Sequence, residues 1–450
     1  MEKDTNKADD SLEESTDLTK QNSKILNNSG QSKNNGGPNS ISYDPDALLT
    51  LEEVQELDNK YIVHTYDRMP ICFPYGSGEF LYDSNGKEYI DFLSGIAVTA
   101  LGHANADLIN AISHQADRLW HSSNLFYNQQ QAMLARALVE ITFNGKLFFC
   151  NSGTEANEAA LKLMRAWGEQ NNQANEQEKN KVIALKGSFH GRTFGSMSMT
   201  GQEKVQQGFG DMLDNMIYVD ANDTEQLTDA FNDDVCGFIA EPILGEGGVL
   251  PLSVEFLEKA RELCDQHKAL LIFDEIQTGM GRSGHYFAFQ GYGVKPDAFT
   301  MAKGLGGGFP IGALLIDEKY TNVLGVGSHG STFGGNPLAS AVAYEVLRSM
   351  EANKTLENVN FISEYLRNHL ENLRSGYPDK IKEIRGAGLM LGVVMDEKIQ
   401  ARPLVKKALE KKLVIGRAGE NVIRLTPPLI LREVTVDRAI ERLEELIRNI

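Results

Sequence analysis

Positive charge is in short supply in this chain. Lysine and arginine number 44 against 62 aspartates and glutamates, for a formal net charge of −18 and a pI near 5.0. Such a surface repels phosphate backbones and anionic lipid at long range, so neither nucleic acid nor a membrane is an expected partner. An anionic substrate must then be captured by particular arginines. Cysteine is scarce too. Cys72, Cys150, Cys236 and Cys264 form no CxxC pair and no metal-ligand spacing, which argues against a disulfide framework or a metal site and for buried, reduced thiols. No apolar run reaches the roughly 18 residues a membrane-spanning helix needs. The glycine run Gly304-Leu305-Gly306-Gly307-Gly308 lacks the GxGxxG spacing, so it is not a dinucleotide fingerprint. Residues 1–45 have almost no large apolar side chains, and the first arginine is Arg68. A segment so rich in Asn, Ser, Asp and Lys cannot bury enough surface to offset its chain entropy, and it reads as a disordered tail. It has no signal-peptide core, and its acids are foreign to a transit peptide, so a cytoplasmic location is expected. No internal repeat is visible.

What is present is an ordinary globular balance, 41% apolar and 24% charged, in a chain long enough for two or three units at roughly 150 residues each. From about residue 140, short apolar runs alternate with longer amphipathic stretches. The runs are Leu147–Cys150, Val182–Leu185, Met216–Val219, Val235–Ala240, Ala269–Phe273, Ala298–Ala302 and Ile311–Ile316. Their length and spacing predict strands of a buried, mostly parallel sheet flanked by helices, an α/β architecture. The last hundred residues predict a smaller α+β domain: helices over Ala341–Asn353, Thr355–Ser375 and Val436–Ile450, and one strand over Gly386–Val394.

The chemically suggestive residues stand immediately after the apolar runs: Asn151–Thr154, Glu241, Asp274 and Lys303. In open α/β sheets, ligand sites gather beyond the carboxyl ends of the strands, so these four segments would meet in one crevice. Each residue also has a plainer reading. Ser152 and Glu155 have the spacing of a capping box, although Gly153 and Thr154 at a helix start also suit a phosphate cradle. Asp274 could cap a helix, or it could pair with a protonated pyridine nitrogen, since a carboxylate at a buried strand end needs a partner. Lys303 ends an apolar run and precedes four glycines within five residues, a place where a lysine can lose its proton and form a Schiff base. Arg192 and Arg424 could be structural, yet Arg424 lies in an apolar stretch where a bidentate carboxylate would suit it. His190 has no acid near it in sequence and reads as structural.

Together these segments resemble the class III (ω-amino) aminotransferases over about residues 60–450. The motifs carrying the resemblance are Cys150-Asn151-Ser152-Gly153-Thr154-Glu155-Ala156-Asn157-Glu158, Phe189-His190-Gly191-Arg192-Thr193, Glu241-Pro242, Phe273-Asp274-Glu275-Ile276-Gln277-Thr278-Gly279, Lys303-Gly304-Leu305-Gly306-Gly307-Gly308-Phe309-Pro310, and His329-Gly330-Ser331-Thr332-Phe333-Gly334-Gly335-Asn336-Pro337. The resemblance implies the type I fold of pyridoxal 5'-phosphate enzymes. It divides the chain into the tail (1–45), an N-terminal segment packing with the small domain (46–97), a large cofactor-binding domain (98–340) and a small C-terminal domain (341–450). Lys303 would carry the cofactor and act as the catalytic base. Asp274 would pair with the ring nitrogen, flanked by Glu275 and Ile276. Gln277 would face the phenolic oxygen and Phe189 would stack on the ring. Gly153 and Thr154 would hold the phosphate, joined by Thr332 from a neighbouring subunit, so a homodimer with a shared site is expected. Arg192 and Ser331 would contact the amino donor, with Ile96 and Tyr66 also on the substrate side. Arg424 would take the α-carboxylate of glutamate or 2-oxoglutarate, masked by Glu241 when the other substrate binds.

Within the class the chain is most similar to the acetylornithine type. The implied reaction is transfer of the δ-amino group of N-acetylornithine to 2-oxoglutarate in arginine biosynthesis, with ping-pong kinetics. Ornithine aminotransferases typically place a tyrosine where Ile96 stands, and isoleucine cannot donate that hydrogen bond to a free amino acid. Succinyl-diaminopimelate, ornithine and 4-aminobutyrate remain alternative donors, and a glutamate-semialdehyde aminomutase is a further alternative. Two departures from the family pattern are Leu244, where glutamine is usual, and Asn105-Ala106, where His-Pro is usual.

Overall fold

The computed structural model describes residues 47–172 and 178–450, and the tail expected over residues 1–45 lies outside them. The chain forms two compact units, one ending at Pro74 and the other spanning Tyr75–Ile450. The first holds a helix, Leu51–Tyr61, started by a capping box in which Thr50 and Glu53 exchange hydrogen bonds. Tyr66 is exposed in this unit, with the Arg68 guanidinium 5.7 Å from its ring centroid.

The second unit begins with three short strands, Tyr75–Ser77 (β1), Phe80–Tyr82 (β2) and Glu88–Asp91 (β3). All seven apolar runs then appear as strands, shifted by a residue or two at their ends. They are Gly145–Cys150 (β4), Lys181–Leu185 (β5), Met216–Val219 (β6) and Val235–Ala240 (β7), and, after a small ribbon of Ile243–Leu244 (β8) and Leu250–Pro251 (β9), Leu270–Asp274 (β10), Ala298–Met301 (β11) and Gly312–Asp317 (β12). The seven form one sheet in the order β4-β12-β11-β10-β7-β5-β6. Only β12 runs against its neighbours; the other pairs are parallel. β7, β10, β11 and β12 are buried along their whole length, which is why they read as unbroken apolar runs and not as alternating ones. Helix Gly153–Gln170 lies across β7, β11 and β12 and buries Ala156, Ala159, Ala160, Leu163 and Met164.

In the C-terminal part, the expected helices are Pro337–Ala352, Thr355–Gly376 and Glu433–Arg448. The first starts four residues early because the Asn336 side chain caps Ala339 N–H at 2.9 Å and Pro337 occupies the first turn. The single strand expected over Gly386–Val394 is corrected. It is a hairpin of Ile381–Ala387 (β13) and Met390–Met395 (β14), reversed at Gly388 with φ +54°. An apolar run spanning a tight turn looks continuous in sequence, and the glycine was the missed signal. With Leu413–Val414 (β15), Gly416–Ala418 (β16) and Val422–Leu425 (β17), two four-stranded sheets complete the unit, β13-β14-β17-β16 and β1-β2-β3-β15.

Candidate active site

Because β4, β7, β10 and β11 are mutually parallel, their carboxyl ends open on one side of the sheet. The residues that follow them converge. Asn151, Gly153, Thr154, Glu241, Asp274 and Lys303 all line one cavity of about 420 Å³. That is the size of a small-molecule site, at the place the α/β rule puts it.

Lys303 opens a short 3-10 turn, Lys303–Gly306, with φ +46°, a conformation in which a non-glycine residue stores strain of about 1–3 kcal/mol. Burial, and then the positive charge of Arg424, pull its ammonium well below the ordinary lysine range. The position therefore favours a neutral, nucleophilic amine.

Asp274 is buried at the end of β10 and bonded on both oxygens. Oδ2 accepts from Asn157 Nδ2 at 2.7 Å and meets His190 Nδ1 at 2.7 Å; Oδ1 accepts the Ile276 N–H at 3.1 Å. Asn157 also donates to His190 O at 2.7 Å and accepts from Thr300 Oγ1 at 2.9 Å. These side chains form one buried network that fixes how the carboxylate faces the cavity. His190 is thus the partner of an acid 84 residues away, which no local pattern could reveal. Its Nε2 is buried without a hydrogen-bond partner among the described residues.

Arg424, on β17, is buried as its apolar surroundings suggested. Its carboxylate partner is Glu246, at 2.5 Å, not Glu241. Arg424 Nη1 also donates to Gly245 O at 3.1 Å and Gln277 Oε1 at 3.2 Å. Glu241 instead accepts backbone N–H groups of Phe189 at 2.8 Å and Gly245 at 3.0 Å. Burial, followed by the Asp274 charge, pushes its carboxyl up to about 7. Two glutamates five residues apart, on either side of β8, cannot be told apart by spacing. Leu244 is buried in β8 against Leu250 and makes no polar contact with Glu241.

At the other end of the cavity, helix Gly153–Gln170 begins. Half of the expected capping box forms: Ser152 Oγ accepts the Glu155 N–H at 3.3 Å, while the Glu155 carboxylate accepts the Asn151 N–H at 3.0 Å in place of that of Ser152. Gly153 and Thr154 form the first turn, ahead of the first intrahelical bond from Ala156 N. A Cβ on Gly153 would stand 2.7 Å from Ile276 Cδ1. Thr154 Oγ1 accepts the N–H groups of Arg192 at 3.2 Å and Thr193 at 3.3 Å. Arg192 is exposed at the cavity wall, its guanidinium 5.7 Å from the Phe189 ring centroid.

Ile276 and Gln277 line the cavity, whereas Glu275 does not. The Glu275 carboxylate points away, accepting the Phe289 N–H at 2.8 Å and the Thr278 hydroxyl, and burial raises it to about 7. Ser331 sits one contact back, with its hydroxyl 3.2 Å from Asn151 Nδ2. Thr332 is exposed and does not line the cavity of this chain. Ile96 is exposed on a turn that leads to the cavity residue Val98. Asn105 caps helix Ala106–Ala116 through the N–H groups of Asp107 and Leu108, which accounts for that departure.

Residues 61–447 match the family model described as aminotransferase class-III. The acetylornithine aminotransferase of Caldanaerobacter subterraneus subsp. tengcongensis is 45% identical over 393 residues, covering 87% of this chain and 98% of that one. Among solved structures, the ornithine aminotransferase of Toxoplasma gondii superposes with a TM-score of 0.84 at 33% identity, covering 89% and 96% of the two chains. The N-acetylornithine aminotransferase of Stenotrophomonas maltophilia gives 0.74 at 38% identity, covering 88% and 98%. Matches of this extent, joined to a cavity lined by Lys303 and the buried Asp274 carboxylate, make the chain a member of the pyridoxal-phosphate-dependent class-III aminotransferases.

Proposed function

We propose that this protein transfers the δ-amino group of N-acetylornithine to 2-oxoglutarate, yielding N-acetylglutamate semialdehyde and glutamate. The observation that carries the reading is the pairing of the buried Arg424 with the half-buried Glu246 near Lys303, whose amine feels both charges. Glutamate and 2-oxoglutarate carry a carboxylate on the carbon next to the reacting one; the δ-end of N-acetylornithine does not. A buried arginine left without a carboxylate is expensive, so Glu246 fills the place for one substrate and yields it to the other. The acetylornithine relatives quoted above, and isoleucine at position 96, favour the acylated donor.

The cavity fits pyridoxal phosphate by its donor set: a lysine whose charged form is disfavoured by burial, a buried carboxylate, a helix N-terminus with a glycine, and the Phe189 ring. In this reading the first-turn N–H groups of Gly153 and Thr154, with the helix dipole, hold the phosphate. Asp274, oriented by His190 and Asn157, keeps a proton on the ring nitrogen. Phe189 and Ile276 enclose the ring, and Gln277 stands on the phenolic side. Once bound, the cofactor supplies an aldehyde that condenses with amines and a protonated ring that spreads carbanion charge. Lys303 Nζ takes the proton from the donor's amine-bearing carbon and later returns one to the 2-oxo acid carbon. Arg192 and Ser331 receive the far end of the donor.

The reading includes a homodimer, in which Thr332 of a second copy completes the phosphate end. In its favour, Leu125, Phe126, Tyr127 and Phe333 are exposed, and Asn124 ties their two loops together through Ser331 O and Gly334 O, both at 3.0 Å. Exposed apolar residues grouped in this way suit a covered face. Four free cysteines suit a cytoplasmic protein.

Steady-state rates with N-acetylornithine, ornithine, succinyl-diaminopimelate and 4-aminobutyrate, each with 2-oxoglutarate, test the assignment. N-acetylornithine should give the highest kcat/KM, with parallel double-reciprocal lines. Equal turnover of ornithine, or intersecting lines, would overturn it.

A further inference from the structure

Another buried carboxylate, outside the catalytic network, anchors a segment that leads to the same cavity. Asp91 ends β3 and is fully buried. Its Oδ1 accepts the N–H groups of Leu93 at 2.9 Å and Ser94 at 2.8 Å, and its Oδ2 meets His103 Nε2 at 2.7 Å. His103 is itself pinned. Its backbone exchanges hydrogen bonds with Gly78 at 2.8 and 2.9 Å, and its ring lies so close that a Cβ on Gly76 would stand 2.8 Å from Cγ.

The segment that Asp91 caps is strained. Ser94, Gly95, Ile96 and Ala97 have φ of +50°, +62°, +68° and +60° in succession. Left-handed backbone costs about 1–2 kcal/mol for each non-glycine residue, most for a β-branched one, so such a run persists only when its surroundings hold it. Two anchors do so. Asp91 binds its entrance, and the Thr426 hydroxyl donates to Leu93 O at 2.9 Å from the end of the strand that carries Arg424. The turn leads directly to Val98 in the cavity wall and exposes Ile96 beside it.

We propose that Asp91, braced by His103, is a positioning residue for the amino-donor end of the cavity: it holds Ser94–Ala97 left-handed and thereby fixes Ile96 and Val98. This rests on the reading above only in taking the Lys303 cavity as the place where the donor reacts. Asp91 also helps the buried Arg282 guanidinium keep its charge, so losing the carboxylate will lower thermal stability as well. The readout must therefore be one that stability alone does not move.

The test is KM and kcat for donor and 2-oxo acid in the full-length, cofactor-loaded Asp91→Asn protein, with and without Ala97→Gly. Small displacements of binding groups weaken catalysis steeply, so Asp91→Asn should raise the donor KM about tenfold, with kcat and the 2-oxoglutarate KM moving much less. Ala97→Gly should recover most of that loss, because glycine takes the left-handed region without strain. If Asp91→Asn does not fold, His103→Gln and Thr426→Val, which leave both Asp91 N–H bonds in place, should each raise the donor KM in the same direction. Lower thermal stability with unchanged kinetic constants, or a raised KM that Ala97→Gly leaves untouched, would overturn the proposal. Wild-type protein inactive with N-acetylornithine would instead overturn the donor assignment, and the same variants would then be read with whichever donor it does turn over.

Discussion

At Lys303, burial and the Arg424 charge both loosen the amine's hold on its proton, and the positive φ aims the side chain from the end of β11 into the cavity. Lys303→Ala removes the amine proposed to move the proton, and turnover should fall by about 10³-fold or more in steady-state assays. His190 touches Asp274 and does not need to touch substrate. His190→Gln should lower kcat by about tenfold while leaving KM for both substrates nearly unchanged, measured on cofactor-saturated protein. Glu246→Gln keeps the size of the side chain and removes the charge paired with Arg424. Its KM for N-acetylornithine should rise while that for 2-oxoglutarate stays level or falls. A rise in both would show that Glu246 serves only to hold its loop.

At the scale of elements, the site is a product of parallel strands ending together and of one helix beginning there. Gly191, with φ +139°, lets the loop after β5 close on that helix; a Cβ would stand 2.2 Å from Thr154 Oγ1. Gly191→Ala should therefore weaken cofactor binding by about tenfold or more, seen as a higher pyridoxal phosphate concentration needed for half-maximal activity. The seven central strands were legible because a strand buried on both faces is an unbroken apolar run. Asn151, Glu241, Asp274 and Lys303 were legible in the cavity because each follows such a run. What escaped was set by contacts between distant segments. His190 finds Asp274 across 84 positions, Arg424 chooses Glu246 over Glu241, and Asn157 reaches Asp274 from the second turn of a helix. The hairpin at Gly388 and the left-handed run Ser94–Ala97 escaped for a different reason. Backbone reversals leave only single glycines as traces, and three of the four left-handed residues are not glycine.

Across the whole molecule, the excess of 18 negative charges means that substrate dicarboxylates are drawn in by local arginines and not by the overall field. Stability should also depend on pH through buried acids. Glu275 lies outside the cavity, and burial raises it to about 7 from an ordinary 4.5. The folded state then binds a proton that the unfolded state has lost over that window. Its contribution is complete below pH 4.5 and fades as pH rises through about 7. Thermal melts should show Glu275→Gln losing less stability than wild type between those limits. The proposed dimer belongs to this scale too: Phe126→Arg should yield monomers by sedimentation with much reduced activity, whereas a monomeric wild type would remove Thr332 from the site. The central claim is a donor half-reaction at Lys303, and its direct test is to mix cofactor-loaded protein with N-acetylornithine and no 2-oxo acid. One equivalent of N-acetylglutamate semialdehyde per chain should form at once, and far less should form from ornithine. No product until 2-oxoglutarate is added, or an equal burst from ornithine, would contradict the account.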